Sequence, residues 1–220
     1  MNFDTRFFLE AMPLLVDGLW TTIVLVLGSL AIGIMLGLIG CYGKLLKRGP
    51  LSWLAFIYVG VFRGLPETVL IFWIYFCGPL ILDVRLSPLG SGILALSAVS
   101  GAYLTEIFRS GVLALPPGQI EAARALGLSP YRRIRHVMAP QVVKIMMPTF
   151  IGFIAILIKN SALVSAIGLG ELFYQAMTLS ATTYKYFEIY TAVGLIYFAL
   201  IFPLSALSQH IERRQRRQRS

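Results

Sequence analysis

Between Gly18 and Gly40 the chain carries no charged residue, and the run is long enough for a helix that crosses a bilayer, which needs about 20 apolar residues. In hydrocarbon the backbone must bond within its own segment, so this stretch confines the fold to membrane-spanning helices. Composition agrees. The 220 residues are 57% hydrophobic and 13% charged, with mean hydropathy +0.78, whereas soluble domains are about half apolar and a quarter charged. Further spans are expected at about 64–82, 86–108, 145–170 and 189–208. The apolar run from Leu51 to Leu82 is too long for one straight helix and is interrupted by Arg63-Gly64-Leu65-Pro66-Glu67. Leu51 to Phe62 therefore reads as a helix at the membrane interface, with Trp53 and Tyr58 at headgroup level. The expected fold is an all-α integral membrane protein of five transmembrane helices, a single domain over 1–220 with no soluble domain attached.

The net charge of +9 would suggest nucleic acid in a soluble protein, but here the cations sit between and after apolar runs. Lys44, Lys47 and Arg48 follow the first span, Arg109, Arg124, Arg132, Arg133, Arg135 and Lys144 follow the third, and Arg213, Arg214, Arg216, Arg217 and Arg219 form the tail. All three groups fall on one side, against Arg6, Arg85 and Lys185 on the other. The positive-inside rule then places the N-terminus outside and the C-terminus in the cytoplasm. The basic tail reads as a solvated stop near anionic lipid, not a nucleic-acid arm. Asp4, Glu10 and Asp17 against Arg6 are the wrong charge for a signal n-region, so the first span is expected to be retained. Cys41 and Cys77 fall at opposite faces of adjacent antiparallel spans and predict no disulfide.

The cytoplasmic insert, about 112–140, is polar and patterned. Gln119 to Leu126 is rich in strong helix formers, Gly127 supplies a C-terminal stop, and Ser129 with Pro130 starts a second helix, with Pro140 marking the beginning of span four. Ala122 and Ala125 leave a low-relief face, and Glu121 adds one anionic handle near the helix start. Such a helix suits a partner's groove, and an amphipathic helix lying on lipid is the alternative.

The run Glu121-Ala122-Ala123 with Gly127 resembles the EAA loop of ABC-importer permease subunits. So do Phe62-Arg63-Gly64-Leu65-Pro66, Gly101-Ala102-Tyr103-Leu104-Thr105-Glu106-Ile107-Phe108-Arg109, Gly118-Gln119 and Lys159-Asn160-Ser161-Ala162-Leu163-Val164-Ser165. Together these resemble the polar amino acid uptake branch, nearest to the histidine, lysine-arginine-ornithine or opine type. The resemblance implies a type I ABC-importer transmembrane domain in the bacterial cytoplasmic (inner) membrane. It implies two permease subunits forming the pathway, with a heterodimer favoured and a homodimer possible, two ATP-binding subunits and an extracytoplasmic solute-binding protein. Glu121, Ala122, Ala123 and Gly127 would couple to the ATPase. This chain has no Walker-type Gly-rich loop, so ATP and magnesium would belong to the partner, and the chain itself is expected to be no enzyme and to bind no cofactor.

Lys159 stands among apolar residues, roughly 20 Å along the helix from Lys144 and past the midplane of a core about 30 Å thick. An ionisable residue at that depth faces a bundle interior or a wet cavity. With Asn160 and Ser161 it could offer a cation and donors to a substrate carboxylate, and a pair with Glu106 or snorkelling outward is the structural alternative. Glu67 could pair with Arg63 at helical i,i+4 spacing as a gate, or meet a cationic substrate if the Gly64-Pro66 break lies at depth. Arg63, Pro66, Glu106 and Arg109 are candidate gate residues. Thr21, Thr22, Gly28, Gly33 and Gly37 are expected at close-packing positions.

A membrane enzyme would need converging carboxylates or a metal cluster, yet the histidines, His136 and His210, are far apart and no metal site is expected. A secondary transporter or channel subunit would accommodate Lys159 but would give the insert no task.

Overall fold

The computed structural model describes residues 4–46 and 48–217, which are helical nearly throughout with no strand among them. Lys47 and Arg219, two of the cations counted for orientation, lie outside the described residues. Helix α1 (Thr5–Leu45) begins at Asp4, whose carboxylate accepts the Phe7 N–H at 3.0 Å. It packs along α5 (Pro88–Leu113), which Ser87 caps by accepting the Gly90 N–H at 3.1 Å. The expectation of close packing along α1 holds for Thr22, Gly28, Gly33 and Gly37. A Cβ on Gly33 would lie 2.7 Å from that of Ser100, and one on Gly37 would lie 2.7 Å from that of Leu104. Lipid offers little hydrophobic drive for helix association, so this close approach and its dispersion contacts hold the pair together.

Between them, α2 (Pro50–Gly64) and the rod of α3 (Glu67–Phe72), a π turn (Trp73–Cys77) and α4 (Gly78–Leu82) meet at a bend of 105°. The turn residues Leu65 and Pro66 are extended, as the residue before a proline and a proline at a helix start require. Tyr58, expected at headgroup level, instead turns inward and donates to the Ala98 carbonyl at 2.6 Å. A ring that finds a buried acceptor on α5 gains more than one left at the surface.

After α6 (Pro117–Ala125), a single helical rod runs through α7 (Pro130–Arg132), a π turn (Arg133–Met138), α8 (Ala139–Ser161) and a 3₁₀ turn (Ala162–Ile167). Pro140 stands in the first turn of α8, as expected, but the rod before it is continuous. The π turn, in which the Ala139 N–H reaches Ile134, shifts the bonding register just before the proline ring. The rod ends at Gly168, φ +80°, and α9 (Leu172–Thr183) and α10 (Tyr186–Arg217) follow. By length and apolarity four helices can cross a membrane, Thr5–Leu45, Pro88–Leu113, Pro130–Ile167 and Tyr186–Gln215, and the bent pair makes a fifth if it is one span.

Two apolar clusters result. Leu25, Ile71, Leu96, Leu104, Leu157 and Val164 join α1, α3, α5 and α8, while Leu15, Leu172, Ala176, Ile189 and Val193 seat α9 and α10 on the first half of α1. The cysteines Cys41 and Cys77 are free.

Candidate functional site

Helix α6 stands at the far end of α5. Its C-terminus closes as a Schellman motif: the Gly127 N–H donates to Arg124 at 2.9 Å and the Leu128 N–H to Ala123 at 3.2 Å, with Gly127 at φ +70°. Ser129 then caps α7 by accepting the Arg132 N–H at 3.4 Å. These caps fix the angle between α6 and the rod. Glu121, Ala122, Ala125 and Gly127 are exposed, and Leu126 is 79% exposed. Ala123 is only 4% exposed, so within the expected coupling set it packs inward and holds the helix, leaving Glu121 and Ala122 to face outward.

At the 105° bend, Glu67 is the first residue of α3. The helical pair expected between Arg63 and Glu67 does not form, because the helix stops at Gly64 and the i,i+4 register is lost across Pro66. Arg63 lies instead over the Tyr103 ring, 5.1 Å from its centroid. Glu67 is half-buried and takes a hydrogen bond from the Asn160 side chain, while its Oε2 has no partner. A buried carboxylate oxygen with a vacant acceptor position can receive a donor from a bound molecule.

Lys159, Asn160 and Ser161 do not face one way. Consecutive helical residues diverge by about 100°. Asn160 turns to Glu67, and Ser161 is fully buried and donates back to the Ile158 carbonyl at 2.7 Å. Lys159 is exposed and lines a cleft of about 610 Å³ walled by Phe173, Tyr190, Tyr197, Phe198 and Phe202 of α9 and α10. Nor does Lys159 pair with Glu106, which is engaged by Lys44 and, at 2.7 Å, by Arg109. That trio ties α1 to α5. It borders a cavity of about 870 Å³, lined also by Arg63, Tyr103, Thr149, Phe153 and Ser208. Of the four expected gate residues, Arg63 and Glu106 face this cavity; Arg109 bonds Glu106, and Pro66 forms the bend.

Glu171 escaped the sequence reading. Fully buried, it starts α9 by accepting the Phe173 and Tyr174 N–H groups at 2.9 and 2.7 Å, with the Thr22 hydroxyl at 3.5 Å and the Tyr197 hydroxyl at 3.4 Å. Thr22 in turn accepts the Leu172 N–H at 3.1 Å. One carboxylate thereby joins α1, α9 and α10. Its signal was local: an acid directly after the Gly168-Leu169-Gly170 break and before an apolar run is an N-cap pattern.

Comparison with known proteins matches this architecture to permeases. The chain is 34% identical to the arginine transport system permease protein ArtQ of Bacillus subtilis (strain 168) over 214 residues, covering 97% of this chain and 98% of that one. It is 33% identical to the glutamine transport system permease protein GlnP of Escherichia coli (strain K12), covering 98% and 99%. With the L-cystine transport system permease protein TcyB of Bacillus subtilis (strain 168) it shares 34% identity, covering 92% and 86%. A crystal structure of an amino acid ABC transporter with histidines superposes with a TM-score of 0.87 at 34% identity, covering 97% of this chain and all of that one. An inward-facing structure of the MetNI methionine ABC transporter shares the fold, with a TM-score of 0.72 at 23% identity over 92% and 96% of the two chains. Residues 29–217 match the family described as binding-protein-dependent transport system inner membrane component, and the chain belongs to that family.

Proposed function

We propose that this chain is the membrane permease subunit of an ATP-driven importer for basic amino acids, sited in the bacterial inner membrane with its C-terminus in the cytoplasm. The observation that carries the reading is α6, an exposed helix with a fixed cap, presenting Glu121 and Ala122 beside Gly127. Two such permease subunits would enclose the pathway, a heterodimer being favoured and a homodimer the alternative. Two ATP-binding subunits would dock on α6 of each and hold the ATP and magnesium, and a solute-binding protein outside would deliver the amino acid. The small outward side chains of α6 let a partner approach closely, and its rigid junction to the α7–α8 rod would carry ATPase closure into the membrane. A secondary transporter or channel would leave that helix without a task.

The substrate reading rests on Glu67. A carboxylate with an open acceptor position, at a helix break beside Asn160, suits a cationic side chain. The relatives named for arginine and for glutamine leave both classes to be separated by measurement. In vesicles supplied with ATP, Glu67→Gln is expected to lower labelled arginine uptake about 10-fold or more, the loss of one charge-assisted hydrogen bond, and to spare glutamine. Equal effects on both substrates would remove Glu67 from side-chain recognition.

A further inference from the structure

A separate cleft of about 400 Å³ opens between the basic ends of α8 and α10, lined by Lys144, Met147, His210, Ile211, Arg214 and Gln215. It is not the large cavity described above. Ser208 and Glu212 of α10 line that cavity, whereas His210, Ile211 and Arg214, on another face of the same helix, line this cleft. Gln215 borders both, and among the described residues that line the cleft none is a carboxylate. Two bonds between the helices bracket it: Ser208 donates to the Pro148 carbonyl at 2.8 Å, and the Gln215 amide donates to the Lys144 carbonyl. Lys144, His210 and Arg214 are exposed at its mouth, and Met147 and Ile211 form a half-buried apolar wall.

We propose that this cleft holds an anionic phospholipid of the cytoplasmic leaflet, its phosphate between Lys144 and Arg214 and its first acyl carbons along Met147 and Ile211. The assignment rests on the cytoplasmic placement of this end. Charge complementarity selects the occupant. Cations from two helices at a fixed separation, over an apolar wall where both helices leave the apolar stretch, match a headgroup joined to a chain. A diffuse basic tail attracts anionic lipid but fixes no single molecule.

The test is native mass spectrometry of the purified complex titrated with phosphatidylglycerol and, separately, phosphatidylcholine. One phosphatidylglycerol per permease chain is expected to be retained, and phosphatidylcholine is not. The double variant Lys144→Gln/Arg214→Gln is expected to bind roughly 25-fold more weakly, at about fivefold per cation. Arg135→Gln, outside the lining, should change nothing, and Ile211→Trp, which keeps every charge but fills the wall, should also expel the lipid. Unchanged retention in the double variant, an equal loss with Arg135→Gln, or equal retention of phosphatidylcholine would overturn the proposal. So would a crosslink from Ile211→Cys to the ATPase subunit, which would show protein in the cleft. Arginine-stimulated ATP hydrolysis in the same samples reports the importer reading separately, since it depends on α6 and the pathway.

Discussion

Replacing Gly127 tests whether the end of α6 is held by backbone conformation or by shape. At φ +70° this residue permits the two hydrogen bonds that close the helix, from Gly127 to Arg124 and from Leu128 to Ala123. A Cβ built there meets no atom within 4 Å, so within this chain a larger side chain has room. The penalty is then almost wholly conformational. Left-handed backbone costs an ordinary L-residue roughly 1–2 kcal/mol, and a β-branched one stands at the upper end. If the ATPase binds only the capped helix, Gly127→Val weakens that binding by roughly 5- to 30-fold. Asparagine tolerates the same conformation, so Gly127→Asn is expected to bind nearly as the native chain does. Titrating purified ATPase into detergent-solubilised permease measures both. Valine and asparagine variants that behave alike would refute the conformational account.

Three further outcomes follow from the geometry. Lys159→Met is expected to abolish uptake while leaving the subunit assembled, and undiminished uptake would remove the lysine from the transport path. Glu171→Ala strips the cap from α9 and removes an acceptor from the Tyr197 hydroxyl, while Thr22 keeps the Gly18 carbonyl at 3.2 Å; a loss of about 1–2 kcal/mol of stability is expected from the cap, read as a lower melting temperature, with Glu171→Gln losing less. At the start of α1, Lys185 donates to Asp4 and the Phe7 N–H adds a second bond, which together hold the Asp4 carboxyl below its ordinary value of 3.8. Because the folded-state value lies below the unfolded one, the contact stabilises above the ordinary carboxylate range and is lost as pH falls through the folded value. Acid should therefore loosen the start of α1, measured as faster amide exchange near Phe7, and Asp4→Asn should remove that pH response.

What the sequence revealed best was local. Gly127 and Ser129 were readable as stop and start because a cap depends on a few adjacent residues, and the glycines of α1 were readable because close packing needs small side chains. Groupings across a helix were not. Lys159, Asn160 and Ser161 are neighbours in the chain yet address the α9–α10 cleft, Glu67 and the core. Arg63 and Glu67 have helical spacing, but Pro66 cancels the helix between them. Glu171 was missed as a hub because its partners Thr22 and Tyr197 lie 149 and 26 residues away. Such pairings emerge only when the chain has folded.

The most direct test places this chain, with the proposed ATPase and solute-binding protein, in liposomes and follows labelled arginine. Accumulation that requires ATP on the α6 side, and that Gly127→Val suppresses while Gly127→Asn does not, is the predicted result. Accumulation driven by an ion gradient without ATP, and indifferent to both variants, would contradict it.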